Sequence, residues 1–156
     1  MKNKKIKPLL FNSYLAAIKN SVNTKIFKNF YTEINGRELD IMENGGLSCA
    51  FFVSSILTIF GLIKKIHGTV DGVVADLKKS SWKKIAKPKI GSVLVWQEKM
   101  FADGPHKHIG FYVGHNQAVS NSHKLKTPII HYWTFGRKNS KTYRQVEAIY
   151  WHKKLT

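Results

Sequence analysis

Apolar residues recur with the period of a helix in the first half of the chain and with that of a strand in the second. Leu10, Tyr14, Ile18 and Val22 return every fourth position, which predicts an amphipathic helix from Pro8 to about Val22, Pro8 being tolerated in the first turn. Ile26, Phe27, Phe30, Tyr31 and Ile34 then lead to Asn35-Gly36, a dipeptide that takes positive φ easily, so a short helix or extended arm precedes a turn. After the stronger break Asn44-Gly45-Gly46, Ser48-Cys49 opens the run AFFVSSILTIFGLIKKI, predicted as a core helix with its lysines in the last turn, where the helix dipole favours them. Val70, Val73, Val74 and Leu77 keep helical spacing after Thr69, a good N-cap, and predict a third helix whose end Trp82 anchors.

Beyond Pro88 the texture changes to short β-rich runs. Val93 to Trp96, His108 to Val113, Gln117 to Ser122, Ile129 to Phe135 and Val146 to Trp151 are separated by Gly, Pro, Asn or Lys clusters, as antiparallel strands require. Helices followed by strands is an α+β plan: N-terminal helices packed on a C-terminal antiparallel sheet or small barrel. One domain over residues 1–156 is expected, divided into an N-terminal helical arm (1–43), a pair of core helices (44–87) and the strands (88–156).

Composition narrows the function classes. Lys and Arg number 26 against nine Asp and Glu, a net charge of +17, so the surface attracts anionic polymers such as nucleic acid or acidic wall material. The cations are scattered and mostly lysine, whereas base reading favours bidentate arginine, which argues against sequence-specific nucleic-acid recognition. The basic, then apolar start is interrupted by Asn12 and Ser13, and no cleaved export signal is expected. The most apolar stretch, Ala50 to Ile63, falls short of the ~20 residues of a membrane-spanning helix. His106 and His108 share strand spacing, but no cysteine or carboxylate joins them at ligand spacing, so no metal site is predicted.

The single cysteine, Cys49, is either packing or chemistry, since it has no disulfide partner within the chain. A helix start supplies unpaired amide groups that lower a thiol pKa, and a neighbouring imidazolium would lower it further. The other reading is a small buried hydrophobe. In His106 to Val113, Ile109, Phe111 and Val113 share one strand face, which puts His108 and Gly110 together on the other, away from the apolar layer. Gly110 either clears space for a helix end or substrate, or marks a bulge. His131 and Trp133, on a later strand, are read as packing rather than as a cleft floor.

Three segments in order carry a resemblance: Ser48-Cys49-Ala50-Phe51-Phe52-Val53, Gly91-Ser92-Val93-Leu94-Val95-Trp96, and His108-Ile109-Gly110-Phe111-Tyr112-Val113-Gly114. They resemble the NlpC-type, papain-like cysteine peptidases, a mainly bacterial group related to the CHAP amidases that cuts amide bonds in cell-wall peptides. The resemblance covers roughly Gly45 to Ser122 and implies a papain-like fold, Cys49 as nucleophile, His108 as base, no cofactor, and a peptide or peptidoglycan fragment as substrate. The chain departs from the family pattern at Ser48 and Ala50, where the family has Asp and Ser, and at Ser92, where it has Asp. Tyr31 is the candidate for its upstream tyrosine.

The family also orients its histidine with a polar residue on the next strand, which falls here on Ser120, a position more often His, Asn or Gln. Hairpin parity bears on that choice. An odd turn near His115-Asn116 puts Ser120 or Ser122 on the face of His108, and an even one puts Asn121 or His123 there, so Ser120 is ranked first and Asn121 second. Two rivals to a cysteine amide hydrolase stand: a papain-like binding module without activity, and a charge-driven nucleic-acid-binding protein.

Overall fold

Pro8 lies just ahead of the first helix, α1 (Leu10–Asn20), in a computed structural model that describes residues 5–156, apart from the side chain of Lys138; residues 1–4 of the basic start lie outside the description. Tyr14 and Ile18 of the predicted stripe are fully buried, and the Tyr14 hydroxyl donates to Gly91 O at 2.9 Å, tying α1 to the sheet. The segment after it becomes a hairpin rather than helix: β1 (Tyr31–Ile34) and β2 (Arg37–Asp40) join at Asn35-Gly36, both with positive φ. The helical arm expected over 1–43 is therefore one helix and one hairpin. Propensity left that segment undecided, and the turn dipeptide settled it.

Helix α2 (Cys49–Ile59) is shorter than predicted because Gly61, with φ 61°, ends it. The Leu62 N–H reaches Leu57 O at 2.9 Å and the Gly61 N–H reaches Thr58 O at 3.0 Å, the two reversed bonds of a glycine C-cap. Lys64 and Lys65 are thus not in a last turn; their backbone N–H groups donate to Asp76 of α3 (Val70–Lys79), which also accepts from His67 Nε2 at 2.8 Å and Ser80 Oγ at 2.9 Å. Burial alone would raise the Asp76 carboxyl, but these donors outweigh it and hold the group below the ordinary carboxylate range. The predicted cap is present, with Thr69 Oγ1 accepting from the Gly72 N–H at 3.1 Å, and buried Trp82, just past the opposite end of α3, donates to Leu62 O at 2.8 Å.

The remaining strands are β3 (Lys83–Lys84), β4 (Val93–Phe101), β5 (Gly104–Gly114), β6 (Gln117–Asn121), β7 (Pro128–Tyr132), the short pair β8 (Arg137–Lys138) and β9 (Lys141–Thr142), and β10 (Val146–Trp151). Six form an antiparallel sheet in the order β3-β10-β4-β5-β6-β7, in which β4 to β7 are a meander and β10 returns to lie beside β4. The fold is α+β, and the order leaves β3 and β7 as sheet edges among the described residues.

Strand alternation divides the interior in two. Val93, Val95, Ile109, Phe111 and Val119 join the main core beneath α2, where Phe52, Val53 and Leu57 are fully buried and each contributes about 1.5–3 kcal/mol. Leu94, Trp96, Ala118 and Ile149 form a second, smaller core on the opposite face, covered by Trp133 and Phe135. The residues that flank Ile109 therefore face this second core. Among the described residues no helix is long and apolar enough to cross a membrane.

Candidate active site

Cys49 is placed by the loop that precedes it. The Asp40 carboxylate accepts from the N–H groups of Phe30, Met42 and Asn44 and from the Asn29 amide, at 2.7–3.1 Å. Burial alone would raise that carboxyl; these bonds bring it to about 2. Gly45 follows with φ 95°, and a Cβ there would sit 2.5 Å from Lys126 O, so only glycine lets the loop meet the β6–β7 connection. Asn121 Nδ2 donates to Gly45 O at 2.8 Å and His123 Nδ1 donates to Gly46 O at 3.0 Å, completing the join. Asn121 is thereby committed to the loop and does not orient His108, which removes the second-ranked assignment.

At the end of this loop Cys49 is the first residue of α2, whose N-cap Ser48 makes no side-chain cap bond. The first intrahelical bond runs from Phe52 N–H to Ser48 O, so the N–H groups of Cys49, Ala50 and Phe51 have no partner within the helix. Those of Ile109, Ala50 and Cys49 itself, with the Arg144 cation, pull the thiol pKa down; burial outweighs them and pushes it up. Burial thus opposes the low-pKa thiolate expected from the helix start. Helix α2, which Cys49 opens, packs against β5, the strand that carries His108.

His108 lies opposite Trp96 on β4, with ring centroids 5.3 Å apart. The β5–β6 hairpin turns at His115-Asn116, both with positive φ, which is an even loop. A bulge between Tyr112 and Gly114 then inserts one residue and restores equal parity, so Gly110 pairs with Ser120. Ser120, not Asn121, reaches His108. The position resembles the family's only through that compensation.

Gly110 has a different reason from either one considered from sequence. A Cβ there would lie 2.6 Å from Val119 O, 2.7 Å from Ser120 Cβ and 3.0 Å from Trp96 Cζ3. Neither a helix end nor a substrate is what approaches: the neighbouring strand and the indole do, and they leave Ser120 beside the histidine.

From His108 the polar contacts run in a chain. Its Nε2 is 2.8 Å from Ser120 Oγ, which is 2.7 Å from His131 Nε2, and His131 Nδ1 is 2.9 Å from Tyr132 O. The last acceptor fixes the protons. A carbonyl only accepts, so His131 Nδ1 carries hydrogen; its neutral ring then accepts at Nε2 from the Ser120 hydroxyl, and Ser120 Oγ accepts from His108 Nε2–H. The Nδ1 of neutral His108 is left bare and basic.

Burial keeps the His108 imidazole well below its ordinary pKa, with the charge of Arg144 and then His131 adding to the effect, and burial likewise lowers His131. The sequence predicts a packing role for His131. It does stack on Phe135, with centroids 4.1 Å apart, but it is also the far end of this chain. The connection between β6 and β7 gave no parity from which to foresee that.

Cys49, Ala50 and His108 line one cleft of about 720 Å³ with His106, His123, Phe135 and Arg144. No hydrogen bond joins the Cys49 sulfur to the His108 ring among the described residues, which is common where such groups close on each other only around substrate. The three departures from the family pattern differ in place: Ala50 lines the cleft, Ser48 is buried behind it, and Ser92 is a buried turn residue whose Oγ accepts from Lys89 N–H at 3.0 Å. Tyr31, the proposed upstream tyrosine, is largely exposed on the β1–β2 hairpin and does not line the cleft. No protein-family model matches the sequence, and no curated protein is significantly similar to it.

Proposed function

We propose that this protein is a papain-like cysteine hydrolase of amide bonds, acting on peptidoglycan stem peptides or related small peptides. The observation that carries the reading is the hydrogen-bond chain from Tyr132 O to His108, which leaves a bare imidazole nitrogen in the cleft that Cys49 lines at the head of α2. A thiol pKa raised by burial and an imidazole pKa lowered by it, in one cleft, favour general-base activation at the moment of attack over a standing ion pair.

His108 Nδ1 takes the thiol proton as the sulfur adds to the substrate carbonyl, and the free N–H groups at the start of α2, including that of Cys49, receive the developing oxyanion. Collapse of the tetrahedral adduct breaks the C–N bond, and the imidazolium returns its proton to the leaving amine. Water then attacks the thioester with His108 again as base, giving a carboxylate product and the free thiol. Ser120 and His131 act through His108 and are positioning residues. The cleft volume suits a short peptide, and the resemblance supplies the cell-wall substrate class; the net charge of +17 would aid approach to an anionic polymer. Purified muropeptides incubated with the protein should yield fragments whose masses sum to the parent plus one water, and Cys49→Ala should yield none. Identical product profiles from the two proteins would refute the reading.

A further inference from the structure

Among the described residues, one buried arginine has no ionic partner. Arg144 lies two residues before β10 and is 7 % exposed, with its Nε donating to Gln97 O at 2.9 Å and its Nη2 to His106 O at 2.8 Å. Both acceptors are main-chain carbonyls at the bulge where β4 and β5 shift register between Trp96 and Lys99. No carboxylate pairs with this guanidinium among the described residues; the ion pairs present there are His67–Asp76, His106–Asp103 and Lys107–Asp71. Nη1 and the second N–H of Nη2 have no protein acceptor among the described residues, and Nη1 is not sealed from solvent.

Arg144 lines the same cleft as Cys49 and His108, and its charge reaches both. Burying a cation without a counter-charge is costly unless a ligand supplies one. A guanidinium held by two carbonyls, with a fork of free N–H groups, matches the two oxygens of a carboxylate. The cleft's acidic groups do not take that place: Asp71 is engaged by Lys107 at 2.8 Å, and exposed Glu98 makes no ion pair with Arg144.

We propose that Arg144 is a specificity-determining residue that binds a carboxylate of the substrate beside the bond that Cys49 attacks. This deepens the hydrolase reading and rests on it for the word substrate. The recognition itself can be measured without turnover, by alkylating Cys49 with iodoacetate, which carries a carboxylate, and with iodoacetamide, its neutral analogue.

Relative to the same ratio for N-acetylcysteine, the iodoacetate-to-iodoacetamide rate ratio at Cys49 should be raised by about tenfold or more, and Arg144→Gln should abolish that preference; the thiolate lost with the cation slows both reagents alike and cancels in the ratio. Arg144→Lys should keep part of it. In the unaltered protein, acetate should protect Cys49 from iodoacetamide and acetamide should not, which covers the case of a variant that fails to fold. A normalised ratio near one in the unaltered protein, or a raised ratio that Arg144→Gln leaves unchanged, would overturn the assignment and leave Arg144 as a strut at the bulge. Preference for iodoacetate in a protein that cuts no peptide would refute the hydrolase reading alone; cleavage without the preference would refute only this one.

Discussion

His108→Gln is expected to lower amide hydrolysis by about a thousandfold or more, close to the loss from Cys49→Ala, because residues acting as one unit fail together. Glutamine keeps a polar group of comparable reach toward Ser120 but offers no basic nitrogen to take the thiol proton. The acid side of the wild-type kcat/KM profile follows from the same imidazole. Burial, followed by the charge of Arg144, holds the folded His108 well below its usual pKa, so the active neutral ring should persist as pH falls through about 6.5 and be lost only further into acid. The linkage has the matching sign: a depressed histidine favours the unfolded state below its unfolded pKa, so this residue subtracts stability progressively as pH drops under that value. Alkylation of Cys49 should climb through and beyond the ordinary thiol range, since burial raises the thiol pKa. An acid limb at or above the ordinary histidine range, or a His108→Gln enzyme with near-normal turnover, would contradict the assignment of His108 as base.

Gly110→Ala is expected to have the largest effect on both stability and site. The added methyl would meet a carbonyl oxygen at 2.6 Å and a side chain on the adjacent strand at 2.7 Å, and neither is the loose end of a flexible group. Relief requires β5 and β6 to part or the Trp96 indole to leave the second core, an overpacking cost of about 2–3 kcal/mol or more. For a chain of this size that corresponds to a fall in Tm of about 5–10 °C, measurable by differential scanning calorimetry. Because Ser120 pairs with Gly110 and contacts His108, hydrolysis should fall further than the loss of folded protein explains. A variant with wild-type Tm would show that the strands yield more easily than these distances imply.

Much of the architecture was legible. Stripe spacing found α1, Thr69 and its valines found α3, and period-2 alternation placed His108 on the face opposite Ile109. What misled was continuity of apolar character. The run after Cys49 continues to Ile66, yet the helix ends at Ile59 because a glycine suited to left-handed φ stands at position 61, a signal that local backbone chemistry carries and hydropathy does not. In the site, Cys49 and His108 were singled out by residue type and resemblance, and Ser120 by position. The bulge that gives Ser120 its parity, the commitment of Asn121 to Gly45, and the roles of His131 and Arg144 depend on strand pairings and register shifts that separate local segments do not encode.

The claim on which the rest depends is that the carbonyl of Tyr132, through His131 and Ser120, sets which nitrogen of His108 holds the proton. Long-range proton–nitrogen-15 NMR of the histidine rings reads this directly. At neutral pH the account predicts a neutral His108 protonated at Nε2 and bare at Nδ1, with that preference weakened in Ser120→Ala. A proton resident on Nδ1, or an imidazolium at neutral pH, would contradict it.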